Sequence, residues 1–231
     1  MSSGSVRLVI CDLDGTLADT VPGIAHALNH VMGRLGFGSL GVDAVRRHIG
    51  GGARNLVTAV LGHERASLVP ETLVAFSEYY DSRAEWCVTL YPGVRDTLAA
   101  LHGSMLVAVA TAKSRAGTER IFARTGIAGY FDEVVTTSEM TRPKPDPQCI
   151  EMILERLHVP PDEAVLVGDT PTDARTAHNA GVAFWAVSYG YGLDDLRREG
   201  DYDRMVDNFA DLQQLALANV GGLEKGTVRH D

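Results

Sequence analysis

Residues 6–20 read VRLVICDLDGTLADT. The first six, VRLVIC (6–11), are almost continuously apolar, which marks a strand buried on both faces. The chain then runs into Asp12 and Asp14, one residue apart, followed by Gly15 and Thr16. If strand geometry continues, the two carboxylates point to the same side. Like charges side by side at the mouth of a core strand repel, so something must offset them.

Three more apolar runs, MLVAVA (105–110), AVLVG (164–168) and VAFWAV (182–187), predict further buried strands. EVVTT (133–137) and the weaker MVD (205–207) add two candidates. Helical patterns that stop at glycine or proline lie between them. Apolar strands alternating with helices predict an α/β fold, a Rossmann-like parallel sheet covered on both faces. The alternation breaks once, between Thr20 and Trp86, where helical patterns follow one another without a core strand. Residues 20–86 are therefore expected to form an inserted α-helical cap, with 1–19 and 87–220 making the core. An insertion placed just past Asp14 stands over the carboxyl end of the first strand, where open α/β sheets bind ligands, and is placed to act as a lid.

Four polar stretches close strands or follow them: Asp12–Thr16, Thr111-Ala112-Lys113, the stiff loop Arg142–Pro147, and Gly168–Asp173. In a parallel sheet these lie along one edge. Asp12, Asp14, Asp169 and Asp173 then converge with Thr111 and Lys144. Such a carboxylate cluster is tolerable around a hard cation, and oxygen ligands suit Mg²⁺. A cation, a lysine, hydroxyls and backbone donors together make a receptor for a phosphoryl group. A carboxylate beside it can attack phosphorus.

DLDGTLADT, VAVATAK, RPKPDP and VGDTPTDARTAHNAG, in that order and on those elements, resemble the four motifs of the haloacid dehalogenase superfamily. The likeness is to its phosphatases with a helical cap after the first motif. It implies that Asp12 is the nucleophile and Asp14 the acid and base. It further implies that Thr111, the Ala112 amide and Lys144 hold the phosphoryl oxygens. Asp12, Asp169 and the Leu13 carbonyl would hold Mg²⁺, with Asp14 among the candidate metal residues and Asp173 supporting the ion directly or through water. TVPGIAHALNHVMGRLGF, RRHIGGGARNLV and YPGV are similar to phosphoglycolate phosphatases. Two departures from that pattern are Thr-Ala-Lys for Thr-Asn-Lys in the second motif, and Gly23 where an acidic residue is common. Gly51 and Arg54, at the Gly50–Gly52 loop, are the candidate substrate contacts of the cap.

The chain has 231 residues and a formal net charge of −9, which argues against nucleic acid or an anionic membrane as partner. Three unpatterned cysteines, Cys11, Cys87 and Cys149, read as reduced thiols of a cytoplasmic protein. No signal peptide or membrane-length apolar run is visible, and residues 221–231 are expected to be disordered. His26 and His30 lie four apart on one helix without a third ligand, which favours packing over metal binding. The expected activity is Mg²⁺-dependent hydrolysis of a small phosphate ester through a phospho-aspartate, with phosphoglycolate as first candidate. Pyrophosphate, a sugar or nucleotide phosphate and a biosynthetic phosphate ester stay open as substrates. A phosphomutase and a receiver-type signalling domain are the other readings. Ile24 stands where mutase relatives carry a histidine, and a signalling phospho-aspartate should not have a base such as Asp14 beside it.

Overall fold

The computed structural model describes residues 6–218; the 221–231 tail lies outside them. The chain begins with β1 (Leu8–Cys11) and a short β2 (Ala18–Asp19), then passes through α1 (Val21–Arg34), α2 (Val42–Arg46), α3 (Gly52–Leu61) and α4 (Val69–Asp81) to β3 (Thr89–Leu90). Next come α5 (Val94–Leu101), β4 (Leu106–Ala110), α6 (Arg115–Thr125), β5 (Glu133–Val135) and α7 (Gln148–Leu157). The remainder is β6 (Ala164–Gly168), α8 (Pro171–Ala180), β7 (Ala183–Val187), α9 (Leu193–Glu199), β8 (Arg204–Val206) and α10 (Asp211–Ala218).

Six strands form one sheet in the order β5-β4-β1-β6-β7-β8, with every neighbouring pair parallel. All six strands read from the apolar runs are present. EVVTT is paired only through Val135, because Thr136 and Thr137 turn away: the Thr136 hydroxyl donates to Glu139, and the Thr137 amide donates to the Lys113 carbonyl. β1 is central, aligned with β4 at Cys11–Val109 and with β6 at Cys11–Val167.

Side chains alternate across the pleat. Leu8 and Ile10 enter a core with Cys149, Ile150 and Ile153 of α7 and Ala174 and Ala177 of α8. Val9 and Cys11 enter the opposite core, with Leu98 and Leu101 of α5 and Ile121 of α6. Burial on both sides is why these strands are apolar throughout. Each fully buried Leu, Ile or Val contributes about 1.5–3 kcal/mol, so a charge at Ile10 would break the sheet's centre.

Between β2 and β3 the chain is helical. α1 packs on α2 and α4, and α3 packs on α4. The apolar faces of α1 (Ile24, Leu28, Val31) and α4 (Val69, Phe76, Tyr80) merge with the core on the Val9 side. β2 and β3 pair antiparallel, Ala18 opposite Leu90, so the two ends of the helical segment lie side by side. Among the described residues no helix is long and apolar enough to cross a membrane.

Candidate active site

The carboxyl ends of β1, β4 and β6 bring the motifs together. Past β1 the Asp12 amide still donates to Val167 of β6, fixing Asp12 at the sheet edge. The chain then turns at Gly15, whose φ of +88° suits glycine; a Cβ there would stand 2.2 Å from an Asp169 oxygen. Asp12, Asp169 and Asp173 are buried, and each offers a carboxylate oxygen within 4.8 Å of the others. Lys144, also buried, donates to Asp12 at 3.0 Å and to Asp173 at 2.7 Å.

Burial pushes the Asp12 carboxyl up to about 7; Lys144 pulls against this, while Asp173 and Asp14 add to it. Burial, together with Asp173 and Asp12, raises Asp169 well above the usual carboxylate range. Burial works against the charge on Lys144, but Asp12 and Asp173 outweigh it and hold its pKa above the ordinary lysine value. One ammonium thus pairs with two of the three clustered carboxylates. A compact set of hard oxygen donors with excess negative charge fits a divalent cation such as Mg²⁺.

Asp169 is fixed by the Thr16 hydroxyl at 3.1 Å and the Tyr191 amide at 2.7 Å. Asp173 also caps α8: one of its oxygens accepts from the Thr170 amide and hydroxyl, while the Thr170 hydroxyl accepts from the Asp173 amide. The capping role and the Lys144 contact use different oxygens of the same carboxylate.

Asp14 stands apart from this cluster. Its carboxylate accepts from the Thr20 hydroxyl at 2.5 Å and lies 3.1 Å from Lys113 Nζ. Lys113 also donates to the Tyr80 hydroxyl of α4 at 2.7 Å. Burial opposes the Lys113 charge, yet Asp14 and Tyr80 hold its pKa above the ordinary value. The turn engages the carbonyl of Leu13, the expected backbone ligand. That carbonyl accepts from the amides of both Leu17 and Ala18, so its lone pairs are engaged within the loop.

Thr111 is buried just past β4, and its hydroxyl accepts from the Lys113 amide. Ala112, Gly51 and Arg54 line a cavity of about 380 Å³ with Asp12 and Asp14. In the same loop Gly50 lies against Thr170 and Gly52 against Ala112. Gly23 does not face this cavity as a truncated acid would. A Cβ there would come within 2.7 Å of the Trp86 carbonyl, so close passage of the chain demands glycine. His26 meets the Tyr79 hydroxyl at 3.2 Å and His30 stacks on the Tyr79 ring at 3.9 Å, both packing contacts.

Sequence reading did not find Tyr80 or Tyr191. The Tyr191 hydroxyl accepts from the Thr20 amide and donates to Asp19, where the helical segment begins, while its amide holds Asp169. The run SYGYG (188–192) after β7 was the available signal, since glycines just past a strand permit close backbone approach.

The haloacid dehalogenase-like hydrolase model matches residues 9–187. Phosphoglycolate phosphatases from Nitrosospira multiformis and Vibrio vulnificus are 32% and 29% identical, covering 91% and 95% of this chain and 95% and 100% of their own lengths. A crystal structure of a predicted phosphoglycolate phosphatase from Haemophilus somnus superposes with a TM-score of 0.82 at 26% identity, over 91% of this chain and 97% of that one. With the carboxylate cluster, the lysine and the sheet order on the same four motifs, the chain belongs to the haloacid dehalogenase-like hydrolases, as a member resembling the phosphoglycolate phosphatases.

Proposed function

We propose that the protein is a cytoplasmic, Mg²⁺-dependent phosphomonoesterase that works through a phospho-aspartate, with phosphoglycolate as first candidate substrate. Residues 20–86 act as the cap over the core. The observation that carries this reading is the division of labour between two carboxylates lining one cavity: Asp12 among Asp169, Asp173 and Lys144, and Asp14 beside Lys113.

Asp12 and Asp169 would hold the cation, which when bound screens the carboxylates and polarises the phosphoryl group. Asp173, with one oxygen on Lys144 and the other on Thr170, would support the cation directly or through water. Lys144, Thr111 and the Ala112 amide orient the phosphoryl oxygens. An Asp12 oxygen attacks phosphorus and the bond to the ester oxygen breaks. Asp14 delivers its proton to that departing oxygen. Asp14 then takes a proton from water as the water attacks the phospho-aspartate, releasing phosphate and restoring Asp12. Lys113 and Thr20 keep Asp14 aimed into the cavity.

The test is release of inorganic phosphate from phosphoglycolate and from an aryl phosphate. Turnover is expected with Mg²⁺, loss of it with EDTA, and recovery on adding Mg²⁺ back. Full activity in excess EDTA overturns the metal assignment. Stable one-to-one labelling without turnover overturns the hydrolase in favour of a receiver.

A further inference from the structure

We infer that the preferred ester carries an apolar leaving group several carbons long, aliphatic or aryl, seated in the helical wall of the cavity. This rests on the phosphatase reading above and deepens it. The cavity opens from Asp12 and Asp14 onto Ile24, Ile49, Leu56, Leu73, Phe76 and Tyr80. At about 380 Å³ it lies within the range of roughly 300–1,000 Å³ that small-molecule sites occupy. It equals the liquid volume of about a dozen waters at roughly 30 Å³ each. A phosphoryl group on a two-carbon acid leaves much of that space to solvent.

The charges in the wall favour a neutral leaving group. Lys113 is already shared by Asp14 and Tyr80. The carboxylate of Asp81, held by the Ser114 hydroxyl at 2.6 Å, also lines the cavity. Against the carboxylates of Asp14 and Asp81, a second substrate anion has Arg54 as its remaining cation in the lining. A carboxylate moved onto the Leu73 and Phe76 surface would lose its hydration without a partner, whereas each methylene placed there gains. The Tyr80 hydroxyl is taken by Lys113, which leaves the ring as its contribution to the wall.

The experiment is kcat/KM for linear alkyl phosphates from ethyl to hexyl, with phenyl phosphate and phosphoglycolate, in Mg²⁺. The alkyl alcohols leave with nearly equal basicity, so a slope reports binding of the chain. The expected result is a rise of about fourfold per added methylene until the cavity is filled, overtaking phosphoglycolate. Phenyl phosphate separates the aryl from the aliphatic source of that apolar contact. Good turnover of phosphoglycolate with a flat or falling alkyl series overturns this inference and leaves the phosphatase reading standing. No turnover of any ester overturns both. Leu73→Asn and Ile49→Asn, both half-buried positions, should each flatten the slope in protein whose melting curve shows it folded. Retention of the full slope in both variants overturns the placement of the leaving group on this wall.

Discussion

On the sheet side the cavity ends at Asp12, which backs onto charge: Asp169, Asp173 and Lys144, all buried and, with Asp12, holding one another at hydrogen-bond distance or within a few ångströms. On the helical side the wall is mostly carbon, and the Tyr80 hydroxyl is committed to Lys113. The charged wall acts as a unit, because removing one member leaves others unpaired in a dry place. The apolar wall acts in increments, because each contact adds a little area. Chemistry should therefore fail in large steps and selectivity in small ones.

The largest expected effect is at Asp12. Asp12→Asn removes the proposed nucleophile and should lower phosphate release by on the order of 10⁴ or more, with the melting temperature showing an intact fold. Measurable turnover by rigorously purified variant would remove Asp12 from that role. Next is Lys113, which joins the two walls through Asp14 and Tyr80. Lys113→Met leaves Asp14 facing a buried apolar group and should cost about 3 kcal/mol in urea unfolding. The double variant Lys113→Met with Asp14→Asn should recover much of this, since no orphaned charge remains. An equal loss in both would assign the cost to the other contacts of Lys113, not to an orphaned Asp14.

On the carbon side the steps shrink. Gly23→Asp forces side-chain atoms against the Trp86 carbonyl and should cost about 2 kcal/mol of stability; a neutral or stabilising result in thermal melts would contradict the close passage there. Smallest is Arg54→Ala, expected to reduce kcat/KM for phosphoglycolate by about 1–2 kcal/mol, and less for an aryl phosphate with no second anion. Equal losses on both esters would move Arg54 to the phosphoryl end and blur the division between the walls.

The same division governs what could be read in the sequence. Strands buried on both faces announce themselves as apolar runs, so the six-stranded sheet was legible, down to the short Arg204–Val206 strand. Asp12, Lys144, Asp169 and Asp173 were legible because a parallel sheet gathers strand ends at one edge. The apolar part of the helical wall was not, although Gly51 and Arg54 were read from the sequence and line the cavity. The helix faces are ordinary amphipathic surface until a partner is known, and Tyr80 meets Lys113 across 33 residues of chain. Motif spacing carries no information on which way a peptide group turns, so the bonds from the Leu17 and Ala18 amides to the Leu13 carbonyl were not legible. Gly23 stood out only as a departure from the relatives' pattern, and the constraint on it comes from Trp86, distant in sequence. Two-residue strands such as Ala18–Asp19 and Thr89–Leu90 are too short to leave a period.

That short antiparallel pairing has a consequence for how such a molecule can be rebuilt. The helical segment leaves the sheet at Asp19 and returns opposite it at Thr89, so its entry and exit are already zipped together. The entropy of closing the intervening loop grows only slowly with its length. A longer, shorter or wholly foreign segment could therefore be spliced between these two residues, and a two-residue turn could replace it altogether as a plain hairpin. The carboxyl edge of the sheet is in this sense a socket, and the helical segment is the interchangeable plug.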